Sequence, residues 1–171
     1  MIGVDKNKME TKKIEKKAVS DKSEKTKVAS AGLIAVVRIA GMVKVKKDVA
    51  ETLDRLRLRK KYVCVLINSS DVNAMGMLKK VKHFVAYGNI DEKMLGDLVE
   101  ARGALIEKGG EIDSKKIASE LIGGKKLKDL GLKPFFRLHP PRKGIKSKLQ
   151  YPRGVLGDNG SKINDLIGRM L

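Results

Sequence analysis

The sequence has no tryptophan, one cysteine, two histidines, and an aromatic complement of only three Tyr and three Phe. A single thiol can build neither a disulfide framework nor a cysteine-based metal site. Cys64 lies in the run Tyr62-Val-Cys-Val-Leu-Ile67 and is expected to act as a small buried hydrophobe in a strand. His83 and His139 fall in unrelated segments with no cysteine at metal-ligand spacing, so neither points to a metal. The scarcity of aromatics excludes the RNA-binding consensus that stacks bases on strand residues, and it disfavours stacking readout of single strands in general. Apolar runs such as Leu33–Val37 are far too short to cross a bilayer, and the N-terminus lacks the apolar core of a signal peptide. No phosphate-cradling glycine pattern follows an expected strand, and no carboxylate pair reads as an acid and base. The expectation is a cytoplasmic, non-enzymatic chain with no cofactor, no small-molecule substrate and no membrane.

What is abundant is positive charge. The 171 residues hold 38 Lys and Arg against 20 Asp and Glu, a formal net charge of +18, while 42% of residues are hydrophobic and can supply a core. The excess is patterned. Residues 1–30 carry nine basic and five acidic groups, residues 31–90 twelve and four, residues 91–124 five and eight, and residues 125–171 twelve and three. Residues 133–157 contain seven basic groups, no acidic one and all four prolines. Proline and glycine keep such a stretch out of regular structure, and its self-repulsion is relieved best by a polyanion.

Patterning gives four expected regions. Residues 1–30 read as a lysine-rich tail with no sustained period. Residues 31–90 read as β-α-β-α-β. A strand runs over Leu33–Ile39, and a helix opens at Asp48 with Glu51 in a capping-box arrangement and an apolar stripe of Val49, Ala50, Leu53 and Leu56. A near-continuous apolar strand follows at Tyr62–Ile67, and Asp71 caps a helix carrying Ala74, Met77, Leu78 and Val81 on one face. The third strand is Phe84–Tyr87, with His83 expected to suit the dipole at the preceding helix end. Such alternation predicts an α+β core, a three-stranded sheet with both helices on one face, and leaves the direction of the third strand open. Residues 91–124 are an acidic helical insert, with helices over 91–106 and 114–122 punctuated by Gly109-Gly110 and Gly123-Gly124. Residues 125–171 are the basic extension, with an edge strand at Phe135–Leu138 and a closing helix capped by Ser161.

The cations cluster. Lys44, Lys46 and Lys47 follow the first strand, and Arg55, Arg57, Arg59, Lys60 and Lys61 form Arg55-Leu-Arg-Leu-Arg-Lys-Lys61. Lys79, Lys80 and Lys82 precede His83, and the 133–157 segment supplies His139, Arg142, Lys143, Lys146, Lys148 and Arg153. In the arginine run the leucines are expected to face the core while the guanidinium forks project towards phosphates. No helix-turn-helix or zinc pattern is present for reading a DNA major groove, so folded RNA held through its phosphates is the favoured partner. A general nucleic-acid-condensing, chromatin-like protein is the alternative, disfavoured by the hydrophobic content and the acidic insert.

Several strings resemble a known family. Leu56-Arg-Leu-Arg-Lys-Lys61 and Ala74-Met-Gly-Met-Leu78 are similar to the turn and the Gly-Met helix of the universal large-subunit ribosomal protein L-thirty. Met77-Leu-Lys-Lys-Val-Lys-His-Phe-Val-Ala-Tyr-Gly88, Leu98-Val-Glu-Ala-Arg-Gly103, Pro134-Phe-Phe-Arg-Leu-His-Pro-Pro-Arg142 and Ile163-Asn-Asp-Leu-Ile-Gly-Arg-Met170 resemble its longer archaeal and eukaryotic branch, the L-seven type. The resemblance implies a split β-α-β, ferredoxin-like half-fold and a structural role on large-subunit rRNA near 5S rRNA, beside neighbouring ribosomal proteins and as a monomer. The expected RNA contacts are Lys46, Lys47, Arg55, Arg57, Arg59, Lys60, Lys61, Lys79, Lys80, His83, His139, Arg142, Lys143, Lys146, Lys148 and Arg153. The acidic insert would face away from rRNA or towards a neighbour.

Overall fold

The computed structural model describes residues 32–106, 113–145 and 147–171; the tail 1–30, the Gly109-Gly110 break and the candidate contact Lys146 lie outside the described residues. The elements are β1 (Leu33–Arg38), α1 (Lys47–Arg55), β2 (Val63–Asn68), α2 (Val72–Val81), β3 (Val85–Asn89), α3 (Glu92–Arg102), α4 (Ser114–Ile122), β4 (Phe136–Arg137), β5 (Gly157–Asp158), a 3-10 turn (Gly160–Lys162) and α5 (Ile163–Gly168).

The expected three-stranded core is present, with β1 in the centre and antiparallel to both β2 and β3. The open direction of the third strand is therefore antiparallel. Two-residue strands extend the sheet at either edge to give the order β4-β2-β1-β3-β5. The edge strand expected at Phe135–Leu138 is β4, which pairs with β2. β5 has no sequence signal, because two residues cannot display a period.

β1 is buried on both sides, which explains why it reads as a continuous apolar run instead of an alternating one. Ile34 and Val36 meet Leu53, Leu56 and Leu58 around α1, and Ala74, Leu78 and Val81 of α2, so both early helices cover one face as expected. Ala35, Val37 and Ile39 serve the other face, which is covered by Leu95, Leu98 and Val99 of α3, Leu121 of α4, and Ile163, Leu166 and Ile167 of α5. Asn164 ties this layer together: its Oδ1 accepts from the Asp91 amide, and its Nδ2 donates to the Ser161 carbonyl at 2.9 Å and the Asn89 carbonyl. Cys64 is a fully buried strand residue, and burial raises its thiol pKa from 9.0 to about 12.

Several local expectations are corrected. α1 opens one residue before Asp48, with Lys46 at the N-cap and no side-chain cap, so the Asp48–Glu51 capping box does not form; Asp48 sits in the first turn, where a carboxylate suits the dipole. Asp71 does cap α2, accepting from the Ala74 amide. Ser161 lies inside the 3-10 turn instead of capping α5. The helix expected over 91–106 ends at Arg102, where the Gly103 amide closes on the Val99 carbonyl. α2 ends at Val81, two residues before His83.

β3 passes so close to the 3-10 turn that a Cβ on Gly88 would overlap the Gly160 carbonyl oxygen. Gly88→Ala is expected to cost about 1–3 kcal/mol. Urea denaturation measures this, and an unchanged midpoint would mean the strand and turn are not packed this tightly.

Candidate nucleic-acid interface

The arginine run begins as the end of α1. The Arg57 amide donates to the Asp54 carbonyl and the Leu58 amide to the Leu53 carbonyl, each at 2.8 Å, which is the paired closure of a Schellman motif. Leu53 and Leu58 are fully buried and Leu56 nearly so, while Arg55, Arg57 and Arg59 are exposed. The position that closes such a motif demands a left-handed backbone and usually takes glycine. Here it is Arg57, with φ of 62°. Lys44 and Lys143 also adopt left-handed backbone, so three cations of the basic clusters occupy conformations that cost an L-residue about 1–2 kcal/mol. Strain of this kind concentrates where side-chain identity matters more than backbone comfort.

The run is anchored from below by a residue outside the expected set. Arg38, at the end of the central strand, is completely buried. Its guanidinium donates to the carbonyls of Ala40, Gly41, Leu58 and Arg59, the last at 3.1 Å. No carboxylate pairs with it among the described residues. Burial lowers its pKa from the usual guanidinium value, and the carbonyl dipoles hold the charge in place of a counter-ion. Arg38 thus fixes the loop after β1 and the backbone that carries Leu58 and Arg59.

Two clefts, each of about 590 Å³, share Arg55 and Arg57. Lys125, Lys126 and Lys128 also line the first, over an apolar floor that includes Leu56 and Leu127. Arg59, Lys60, Arg137 and Phe135 line the second, with Asp54 its only acid among the described residues. Arg55 is paired with Glu51 at 2.7 Å and Arg59 with Asp54, but both pairs are solvent-exposed. Such pairs contribute at most about 1 kcal/mol, so a phosphate can displace the carboxylates. Arg57 makes no ion pair among the described residues.

The remaining candidates lie elsewhere. Lys46 and Lys47 are exposed at the start of α1, and Lys61 is exposed just before β2. Lys79 and Lys80 are exposed in the last turn of α2. His83 does not cap that helix: its Nδ1 lies 2.7 Å from Gln150 Nε2, which joins the end of α2 to the proline-rich basic segment. That segment runs from β4 on one edge of the sheet to β5 on the other, held to the end of α5 where the His139 amide donates to the Met170 carbonyl and the Arg142 amide to the Arg169 carbonyl. His139, Arg142, Lys143, Lys148 and Arg153 are all exposed along it. The fold therefore gathers Arg55, Arg57, Arg59 and Lys60 with Arg137 beside β2 and β4. It groups Lys79, Lys80 and His83 with the Gln150 loop nearer β3, and leaves Lys46, Lys47 and Lys61 outside both clefts.

Residues 34–85, from β1 to the start of β3 and including the whole arginine run, match the family model for ribosomal protein L30p/L7e. The chain is 45% identical over 152 residues to the large ribosomal subunit protein uL30 of Archaeoglobus fulgidus, an alignment covering 81% of this chain and 99% of that one. Like-named proteins of Nanoarchaeum equitans and Aeropyrum pernix are 40% and 37% identical, each alignment again covering 81% of this chain and 99% of the relative. The chain belongs to the ribosomal protein L30p/L7e family, in its archaeal and eukaryotic branch. It is accordingly a structural protein and not an enzyme.

Within this L30p/L7e chain, sequence reasoning missed Arg38, Arg137 and the Lys125-Lys126-Leu-Lys128 run. The lysine run had a legible signal, since its cations flank a single leucine just as in the arginine run. Arg137 alternates with buried Phe136 and Leu138, a weaker cue. Arg38 had none, because an arginine ending a strand reads as a surface residue.

Arg38→Met is expected to cost at least about 2 kcal/mol in thermal unfolding, because it leaves buried carbonyls without donors. Arg38→Lys should not rescue it, since an ammonium cannot span the four acceptors. By contrast, Arg57→Gly should keep thermal stability within about 1 kcal/mol of the parent or raise it, the relieved strain offsetting the added chain entropy. A large loss of stability in Arg57→Gly would mean that the side chain at position 57, and not the backbone closure, holds the turn.

Proposed function

We propose that this chain is a constituent of the large ribosomal subunit, in the cytoplasm, and that it holds folded rRNA through phosphate-directed lysines and arginines, supporting subunit assembly and translation. The observation that carries the reading is the turn Arg55–Lys60. Its leucines are buried, its arginines are exposed on a backbone clamped by Arg38, and its closing residue is an arginine where glycine would be more comfortable. Guanidinium forks fixed in this way lose little freedom on meeting a phosphate. The relatives named above are called large ribosomal subunit proteins, which supports the same reading.

The contact set we propose is the sixteen residues named from the sequence, enlarged by Lys125, Lys126, Lys128 and Arg137. β4 and β5 bound a five-stranded sheet, so cations beside its two edges stand roughly 19 Å apart at ordinary strand spacing, enough to engage separate RNA segments. The acidic groups of α3, among them Glu92, Asp97 and Glu100, are exposed, and we place this acidic surface away from the RNA, towards a neighbouring ribosomal protein. Proximity to 5S rRNA and a single copy per subunit complete the proposal.

Affinity for large-subunit rRNA should fall steeply with salt, because each neutralised phosphate releases condensed counter-ion; six contacts would give a log–log slope of roughly −4 to −5. Filter binding between low and moderate salt measures it. A flat profile would overturn the phosphate-directed reading. Arg57→Gly should reduce the magnitude of that slope by about one while leaving the fold intact.

A further inference from the structure

Two aromatics lie under a cation, Tyr151 beneath Lys162 at 5.6 Å and Phe135 beneath Arg137, and of these Phe135 is the one that lines the basic clefts. It lines the cleft formed by Arg57, Arg59 and Lys60, and also a further cleft of about 400 Å³ that contains Arg102, Lys133 and Arg137 and, among the described residues, no carboxylate. The Arg137 guanidinium lies 5.8 Å from its ring centroid. The ring is half-buried, packed against the face that Val63 and Leu58 help to build, so part of it remains accessible.

Its backbone is held on both sides. Pro134 precedes it, the Lys133 amide donates to the Ala104 carbonyl at 2.8 Å, and the following residue pairs with Cys64 in β2. A rigid ring beside a guanidinium and ringed by cations offers a π surface for a base and charge for the phosphates on either side of it. The adjoining volume of about 590 Å³ falls in the range that holds a small-molecule ligand, and so can admit one unstacked nucleotide. A regular duplex cannot use this arrangement, because its bases are stacked and paired inside the helix.

We infer that the Phe135–Arg137 pair is a stacking site for a single unpaired RNA base, flanked by phosphate contacts to Arg57 and Arg59. The inference rests on the RNA-binding reading above and adds to it a preference for a bulge or loop nucleotide. Apart from Asp54, which pairs with Arg59, the cleft offers apolar and cationic groups instead of a set of neutral donors and acceptors, so the site should tolerate any base and favour those that stack best.

The chain has no tryptophan, so Phe135→Trp introduces a unique fluorophore at the site. With the full chain carrying this substitution, a single-stranded adenosine heptamer should quench the indole emission, and a ten-base-pair RNA duplex should not. Absence of quenching by the heptamer, or equal quenching by the duplex, overturns the stacking site. Independently, Phe135→Leu keeps an apolar side chain against the core and should weaken heptamer binding about five- to 150-fold. An unweakened Phe135→Leu chain, folded by circular dichroism, also overturns it. The salt slope with large-subunit rRNA is read separately on the parent chain. Loss of quenching with a steep slope refutes only the base site, while a flat slope refutes the phosphate-directed reading itself.

Discussion

The buried guanidinium of Arg38 is the constraint on which the candidate interface depends. It sits at the end of the central strand, where the chain leaves the sheet, and binds the backbone of two loops at once. One loop leads from β1 towards Lys44, Lys46 and Lys47; the other is the arginine turn. Burying a charge without a carboxylate is costly unless dipoles surround it, and four carbonyl oxygens supply them here. A carboxylate in the same place would also neutralise part of the local field. Satisfying Arg38 with backbone instead leaves the positive potential of the surface intact while making the surface rigid.

The arginine turn above it follows the same logic. Its leucines face inward, so the core fixes its position, and its arginines face outward. Closing the helix with Arg57 in place of glycine accepts backbone strain in return for one more guanidinium at the shared wall of two clefts. The exposed pairs Arg55–Glu51 and Arg59–Asp54 keep the side chains extended without committing them. Phe135 and Arg137, arriving from residues far along the chain, complete the second cleft through a strand of only two residues.

Acidic and basic regions divide along structural lines. The first face of the sheet is covered by α1 and α2, which end beside lysine and arginine clusters. The opposite face is covered by α3, α4 and α5, which share one buried cluster with the sheet. The insert is thus part of what completes the core, and its exposed carboxylates occur on helices that serve the face opposite α1 and α2. Gly88 and Asn164 show how tightly the C-terminal layer is docked, one by lacking a side chain and the other by supplying three hydrogen bonds.

Residue pattern alone set the three central strands, the two helices on one face, the burial of Cys64 and the outward arginines. Each of these follows from local hydrophobic period and from charge that cannot be buried in bulk. It also determined the family, through strings spread over the chain in consistent order. The rest came from neighbours that only the folded chain brings together. β5 exists because β3 offers it a partner, not because two residues have a propensity. The Asp48 and Ser161 caps failed because the true helix starts depend on where the chain enters from the sheet. Arg38 became an anchor because the loops it binds are distant in sequence, and no local pattern reports that four carbonyls converge on one point. The pairing of His83 with Gln150, and of Phe135 with the arginine clefts, likewise joins segments that only a folded sheet brings together.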